Sequence, residues 1–145
     1  MKISRRDIAA LVPHAGAMSL LDAVMAWDDG HIVCHSGRHR AEDNPLRDGD
    51  RLAAVHAIEF AAQAMAAHQR LTSARVTRPQ YGLLVSVRQC TFATDRLEAC
   101  ASPLVIEATR IAATTEALTY RFTVGPAGNV LVAGRASVLL AAADA

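Results

Sequence analysis

The feature that most restricts the fold is a run of twenty residues, 52–71, that contains neither glycine nor proline. Alanine, the strongest helix former, is its commonest residue, so the run is predicted to form one long helix. Asp50 lies where this helix would begin, and a carboxylate there accepts hydrogen bonds from the first backbone amides. A long helix with so few charges needs other structure to cover it.

The segments on either side of this helix favour β-strands. Residues 20–27 and 31–36 are predicted strands joined by a tight turn at residues 28–30, and residues 82–140 supply three or four more. Between residues 118 and 124 apolar and polar side chains alternate, which is the period of a half-buried strand. With a length of 145 residues, this order predicts a single α+β domain in which a sheet covers the helix.

Two shorter features complete the prediction. Ser4 and Asp7 resemble a capping box, which predicts a short first helix, and Pro13 is expected to end it. Residues 37–51 are polar and contain Pro45, so they are predicted to form a loop. Loops of about this length often carry function.

Composition excludes several classes of function. A net charge of +1 and an aromatic fraction of 4% argue against nucleic-acid binding. No apolar stretch is long enough to predict a membrane span. The three cysteines are odd in number and form no Cys-x-x-Cys pair, which argues against a disulfide framework and favours the cytoplasm. Gly-rich nucleotide loops are absent from the sequence, so no cofactor is predicted.

The faces of the long helix suggest where chemistry occurs. One stripe at helical spacing is apolar: Leu52, Val55, Ile58, Ala62 and Met65. A second stripe beside it is polar and consists of His56, Glu59 and Gln63. Glu59 is the one acidic residue of the helix, and a carboxyl group at the edge of an apolar face can hold or donate a proton near neutral pH. The alternative is that this stripe simply faces solvent.

The other histidines give weaker signals. The spacing of His35 and His39 is compatible with metal binding, but no cysteine or acidic ligand is in register, so no metal site is predicted. His68 lies near the end of the helix, where a cation would favour the helix dipole. His14 follows Pro13 in a loop and is interpreted as structural unless that loop lines a pocket.

Three motifs together resemble a known family. Pro13-His14 with Met18, Leu20, Leu21 and Asp22 resembles the "PH…LLVDRV" opening of FabZ-type 3-hydroxyacyl-acyl-carrier-protein dehydratases. The run IEFAAQA at residues 58–64 resembles their "EAMAQ" helix motif. With DNPL at residues 43–46, the chain is most similar to the ApeP-like hotdog proteins of aryl polyene clusters.

The resemblance implies a hotdog fold, in which an antiparallel sheet wraps around a long central helix. It also implies a dimer, either a homodimer or a heteromer with another hotdog subunit, with an acyl tunnel at the interface. The substrate would be a 3-hydroxyacyl group on an acyl carrier protein, in fatty-acid or aryl polyene biosynthesis. In that family the helix glutamate, here Glu59, helps the hydroxyl leave while a histidine removes the C2 proton. The backbone amides of residues 53–55 would polarise the thioester carbonyl.

One departure from the family pattern affects the mechanism. The family's catalytic histidine would fall at Pro45, which has no side-chain proton to give or accept. Either Glu59 acts alone, or His14 or His56 replaces the histidine, or the chain is a non-catalytic partner of an active dehydratase. A hotdog thioesterase is a further alternative, since a helix glutamate can also activate water. Asn44, beside Pro45, and Gln63 are expected to bind the substrate.

Overall fold

The computed structural model describes residues 2–11, 16–73 and 80–142. The regular elements are numbered in chain order: β1 Ile3–Ser4, α1 Arg5–Ile8, β2 Ala23–Asp28, β3 His31–Ser36, α2 Ala57–Thr72, β4 Gln80–Phe92, β5 Leu104–Ala113, β6 Ala117–Gly125 and β7 Val132–Ala142. Short 3₁₀ turns occur at Gly16–Met18, Arg38–Arg40 and Ala54–His56. No helix in these described ranges is long and apolar enough to cross a bilayer.

The seven strands form one antiparallel sheet in the order β1-β2-β3-β5-β6-β7-β4. α2 packs against the inner face of this sheet. The predicted α+β architecture is therefore confirmed, with β4 longer than the sequence pattern suggested and a two-residue β1 added at one edge. β4, the strand that follows α2 in the chain, pairs with β7 and forms the edge of the sheet opposite β1.

The alternation predicted in β6 separates the two faces of the sheet. Leu118, Tyr120, Phe122 and Val124 are buried against the helix, and the residues between them point to the outer face. Across from Phe122, a Cβ on Gly134 would lie 2.9 Å from the phenyl ring. Any larger residue at Gly134 would displace the Phe122 ring.

The long helix begins later than predicted. α2 starts at Ala57, and the 3₁₀ turn Ala54–His56 precedes it. Before that turn the backbone pairs with the connection between β4 and β5: Leu52 accepts from the Leu97 amide at 2.8 Å, and the Ala54 amide donates to the Asp95 carbonyl at 2.8 Å. The Ala54 amide is therefore occupied, so the predicted set of unpaired donors at residues 53–55 is wrong at Ala54.

Asp50 does not cap the helix. The N-cap of α2 is His56, and it makes no side-chain capping hydrogen bond. The pairing with Leu97 and Asp95 places Asp50 well before the helix, which explains why the propensity argument set the start too early.

The predicted apolar stripe is confirmed only in part: Leu52 and Met65 are buried, whereas Ile58 and Ala62 are partly exposed. Val55 is 52% exposed, while the residues that pack on the sheet are mostly small: Ala57, Phe60, Ala61, Ala64, Met65 and Ala67. Alanine side chains let the helix axis approach the sheet closely, and Ile58 lies at the edge of the contact. A partly exposed strip therefore runs along α2 through Ile58, Glu59, Ala62 and Ala66.

The predicted first helix is present but short. The Ser4 hydroxyl accepts from the Asp7 amide at 3.5 Å, as a capping residue does, and α1 ends at Ile8. Its predicted end at Pro13 lies outside the described residues.

Candidate active site

Glu59 lies in the first turn of α2 and is partly buried. The positive end of the helix dipole favours a negative charge at this position. Gln63, one turn further along the helix, donates from Nε2 to Glu59 Oε1 at 3.4 Å. Glu59 and Gln63 of the predicted polar stripe are therefore in contact, with Glu59 in the partly exposed strip of α2 and Gln63 buried beside it.

Gln63 connects the helix to the segment that precedes β2. Its side chain is 1% exposed; Oε1 accepts from the Leu20 amide at 2.9 Å and Nε2 donates to the Met18 carbonyl at 2.7 Å. These bonds satisfy backbone groups that would otherwise be buried without partners. The structure thus gives Gln63 a positioning role, and its predicted contact with substrate stays a prediction.

Two further side chains hold the same segment. Arg5 donates to the Ser19 carbonyl at 2.5 Å and to the Gly16 carbonyl at 3.1 Å, and the Ser36 hydroxyl donates to the Leu20 carbonyl. Residues 16–20 are therefore held by hydrogen bonds from Arg5, Ser36 and Gln63 and form a wall next to Gln63. His14, a predicted catalytic residue, precedes this wall in the chain but lies outside the described residues.

His56 lies in the 3₁₀ turn that leads into α2, three residues before Glu59. Residues three apart on a helix are surface neighbours, so His56 is at the same end of α2 as the carboxyl group. His56 is partly exposed. Its role as proton carrier stays a prediction.

Asn44 is 3% exposed and shapes the polar loop. Its Nδ2 donates to the Arg38 carbonyl at 2.8 Å, and its Oδ1 accepts from the Leu46 amide at 2.9 Å. These two bonds hold the turn on which Pro45 is exposed. Asn44 thus organises the loop that contains Pro45, and its predicted contact with substrate stays a prediction.

A buried polar network at the other end of α2 was not predicted. His68 is fully buried; Nε2 donates to the Asp28 carbonyl at 2.7 Å, so Nδ1 accepts from the Tyr120 hydroxyl at 2.6 Å. Arg110 donates to the same hydroxyl at 3.1 Å and to Thr72 at 3.0 Å. Tyr120, a polar residue within the buried stripe of β6, was the one sequence signal for this network.

The predicted charge on His68 is wrong. Burial lowers the pKa of His68, and the nearby Arg110 lowers it further, while the hydrogen bond to Asp28 acts in the opposite direction. The imidazole is therefore a neutral member of the network rather than a cation at the helix end. Within the described ranges, no group of three or more His, Cys, Asp or Glu side chains is placed to hold a metal ion.

Comparisons with known proteins agree on family and fold. A family model described as ApeP-like, ApeP dehydratase, matches residues 6–144. Among curated proteins, none matches the sequence significantly.

Three solved structures share the architecture. The chain is similar to the dehydratase heterocomplex ApeI:P from Xenorhabdus doucetiae, with 23% identity over 92% of this chain and 90% of that chain and a TM-score of 0.82. A mutant of the thioesterase PA1618 from Pseudomonas aeruginosa has 13% identity, coverage of 97% and 96%, and a TM-score of 0.65. AziG from S. sahachiroi has 15% identity, coverage of 92% and 99%, and a TM-score of 0.67. Likeness at such identities establishes the fold, and it confirms the predicted hotdog arrangement.

Proposed function

Because the chain belongs to the ApeP-like dehydratase family, we propose that it takes part in the dehydration of 3-hydroxyacyl thioesters carried by an acyl carrier protein. The reaction removes a proton from C2 and expels the C3 hydroxyl as water, leaving a C2–C3 double bond. Fatty-acid or aryl polyene biosynthesis is the proposed setting, in the cytoplasm, with residues 1–145 acting as a single domain.

The observation that carries this proposal is the placement of Glu59. Its carboxyl group lies in the first turn of α2, and Gln63, itself fixed to Met18 and Leu20, donates a hydrogen bond to it. A carboxyl group fixed at this position on the helix can exchange a proton with the hydroxyl of a substrate bound next to it. Partial burial beside Ile58 and Ala62 limits competition from water.

The base that removes the C2 proton is proposed to be His14 or His56, or Glu59 itself. His56 is three residues from Glu59 on the same end of α2. His14 precedes the wall of residues 16–20 by two positions in the chain. Pro45 cannot fill this role, because its side chain carries no exchangeable proton.

A second candidate is a non-catalytic partner subunit of an active hotdog dehydratase. Pro45 at the position of the family's histidine favours it. The similar ApeI:P structure is described as a dehydratase heterocomplex, which supports a heteromeric partner for this chain too. The thioesterase alternative has support from fold likeness alone.

Assembly with a second hotdog subunit, either a copy of this chain or a related one, is part of the proposal. β4 is an edge strand of thirteen residues, and an edge strand exposes unpaired backbone groups that a partner can bind. Val55, Leu84 and Phe92 are exposed large apolar side chains at 52%, 39% and 46%. We propose that these side chains and the partly exposed strip of α2 face the partner subunit, since exposed apolar groups of this kind are covered at interfaces.

The test is formation of enoyl product from 3-hydroxyacyl carrier protein, followed by mass spectrometry. The protein is assayed alone and then with a hotdog dehydratase subunit from the same source. Product from the protein alone supports the catalytic reading, and product from the mixture but from neither subunit alone supports the partner reading. No product under any of these conditions contradicts the dehydratase proposal.

A further inference from the structure

Three arginines form a row across the outer face of the sheet, the face that does not contact α2. Arg88 on β4 lies opposite Arg135 on β7, and Arg135 lies opposite Arg121 on β6. All three are exposed. Their chain neighbours Tyr120 and Ala136 are buried on the inner face, so the three guanidinium groups point away from α2.

On the paired strands, no acidic residue lies directly opposite any of the three arginines. Among the described residues, none of the three arginines forms an ion pair. Like charges placed directly opposite one another destabilise a sheet. The net charge of the chain is only +1, so a general excess of basic residues does not explain three arginines in one row. Such an arrangement is the electrostatic footprint of an anionic partner.

The side chains flanking the row are small. In the row on one side, Thr91, Ala133 and Thr123 lie opposite one another on β4, β7 and β6. In the row on the other side, Ser86, Ser137 and Thr119 do the same. Arg88 and Thr91 are three residues apart, and the β-bulge between them shifts the register of β4. As a result, Arg88 lies opposite Arg135 and Thr91 lies opposite Ala133, two residues earlier on β7. The rows on both sides of the three arginines therefore consist of serine, threonine and alanine, whose side chains are shorter than arginine.

We infer that the row Arg88–Arg135–Arg121 is a docking surface for an acidic α-helix of a second protein. Neighbouring strands are about 4.8 Å apart, so the three arginines span about 10 Å across the sheet. Residues i and i+7 of an α-helix are also about 10 Å apart, with i+4 between them. A helix lying across the strands would thus present three carboxylates to the three guanidinium groups in register.

Other occupants fit this surface less well. A second copy of the chain would bring arginines against arginines. Single-stranded nucleic acid needs aromatic side chains on which bases stack, and the three rows contain none. An anionic membrane would be favoured by large apolar side chains beside the cations, whereas the flanking rows are small and mostly polar.

The test uses two synthetic helical peptides of identical composition. One carries glutamates at i, i+4 and i+7 on one face, and the other carries the same three glutamates on different faces. Each is titrated into isotope-labelled protein by NMR at low salt. The aligned peptide is expected to bind at least threefold tighter than the other and to shift amide signals of β4, β6 and β7.

Matched variants separate the row from general charge attraction. Arg135→Ser is expected to weaken binding of the aligned peptide by about threefold or more, the scale of one exposed ion pair or slightly above. Arg6→Ser, which removes an exposed arginine of α1, is expected to leave it unchanged. Equal affinity for the two peptides, or equal losses in the two variants, would overturn the proposal. The proposal would also be overturned if the protein bound phosphatidylserine vesicles, lost that binding in Arg135→Ser, and showed equal affinity for the two peptides. Failure here would leave the proposed dehydratase chemistry untouched, because that site is on the opposite face.

Discussion

Gln63 Nε2 lies 3.4 Å from Glu59 Oε1 and 2.7 Å from the carbonyl oxygen of Met18. One amide group therefore joins the acidic residue of the candidate site to the wall formed by residues 16–20. The orientation of the Glu59 carboxyl and the folding of that wall depend on the same side chain.

Gln63→Leu is expected to destabilise the protein by about 2–4 kcal/mol, because the Leu20 amide and the Met18 carbonyl lose their buried partner. Urea unfolding followed by circular dichroism measures this. The matched control is Gln69→Leu on the same helix, where the side-chain amide donates to Ser73 near the helix end at 3.2 Å and a smaller loss is expected. Equal losses in both variants would contradict the positioning role of Gln63.

Met65→Asp is expected to destabilise strongly, by about 3 kcal/mol or more. Met65 is 2% exposed within the core, and a carboxylate there either stays unpaired or must be protonated. Ala66→Asp, on the partly exposed neighbouring residue, is expected to cost much less. Thermal unfolding of the two variants compares them, and a melting temperature for Met65→Asp equal to that of the unmutated protein would contradict the described orientation of α2.

The strands could be predicted from local pattern, because the alternation at residues 118–124 depends on neighbours in the chain. The start of α2 could not, since it is set by two hydrogen bonds to residues more than forty positions away: the Leu52 carbonyl accepts from the Leu97 amide, and the Ala54 amide donates to the Asp95 carbonyl. The predicted buried stripe was right at Leu52 and Met65 and wrong at Val55, because the helix packs on the sheet through a face in which alanines predominate. Glu59 and Gln63 were found because both are polar within an apolar helix.

The buried network could not be predicted from single-residue rules. His68 at a helix end suggests a cation in the absence of tertiary information. Its actual state depends on Tyr120 and Asp28, which are brought to it from β6 and β2.

Stability is expected to fall as the pH drops below about 6.5, the usual pKa of an unfolded histidine. The folded pKa of His68 is lowered, so below that pH the unfolded chain binds a proton that the folded chain does not. The resulting stabilisation is present at higher pH and is lost on acidification. Burial lowers the pKa of His39 too, and His39 adds a second contribution of the same sign.

Urea midpoints at pH 5 and pH 7.5 test this account. His68→Gln is expected to show a smaller loss between the two values than the unmutated protein, and a double variant with His39→Gln a smaller loss still. An identical pH dependence in all three proteins would show that these histidines do not carry the effect.

The protein is expected to be a dimer or larger, or to become one with a related hotdog subunit. Edge strand β4 and the exposed Phe92 supply the surface for this contact. Sedimentation velocity at micromolar concentration measures the mass, and Phe92→Lys is expected to shift the protein toward monomer. A monomer that forms no complex with such a partner would contradict the proposed interface.

The central claim is that Glu59 carries the proton of the dehydration. The direct measurement is the rate of enoyl formation by the unmutated protein and by Glu59→Gln, in the presence of the hotdog partner if the protein is inactive alone. His14→Ala and His56→Ala measured in parallel identify the second proton carrier. Glu59→Gln is nearly equal in volume, so the fold should persist while the rate falls by about 10²-fold or more, the usual scale for losing a general acid. An unchanged rate in Glu59→Gln, with unfolding behaviour equal to that of the unmutated protein, would contradict the account.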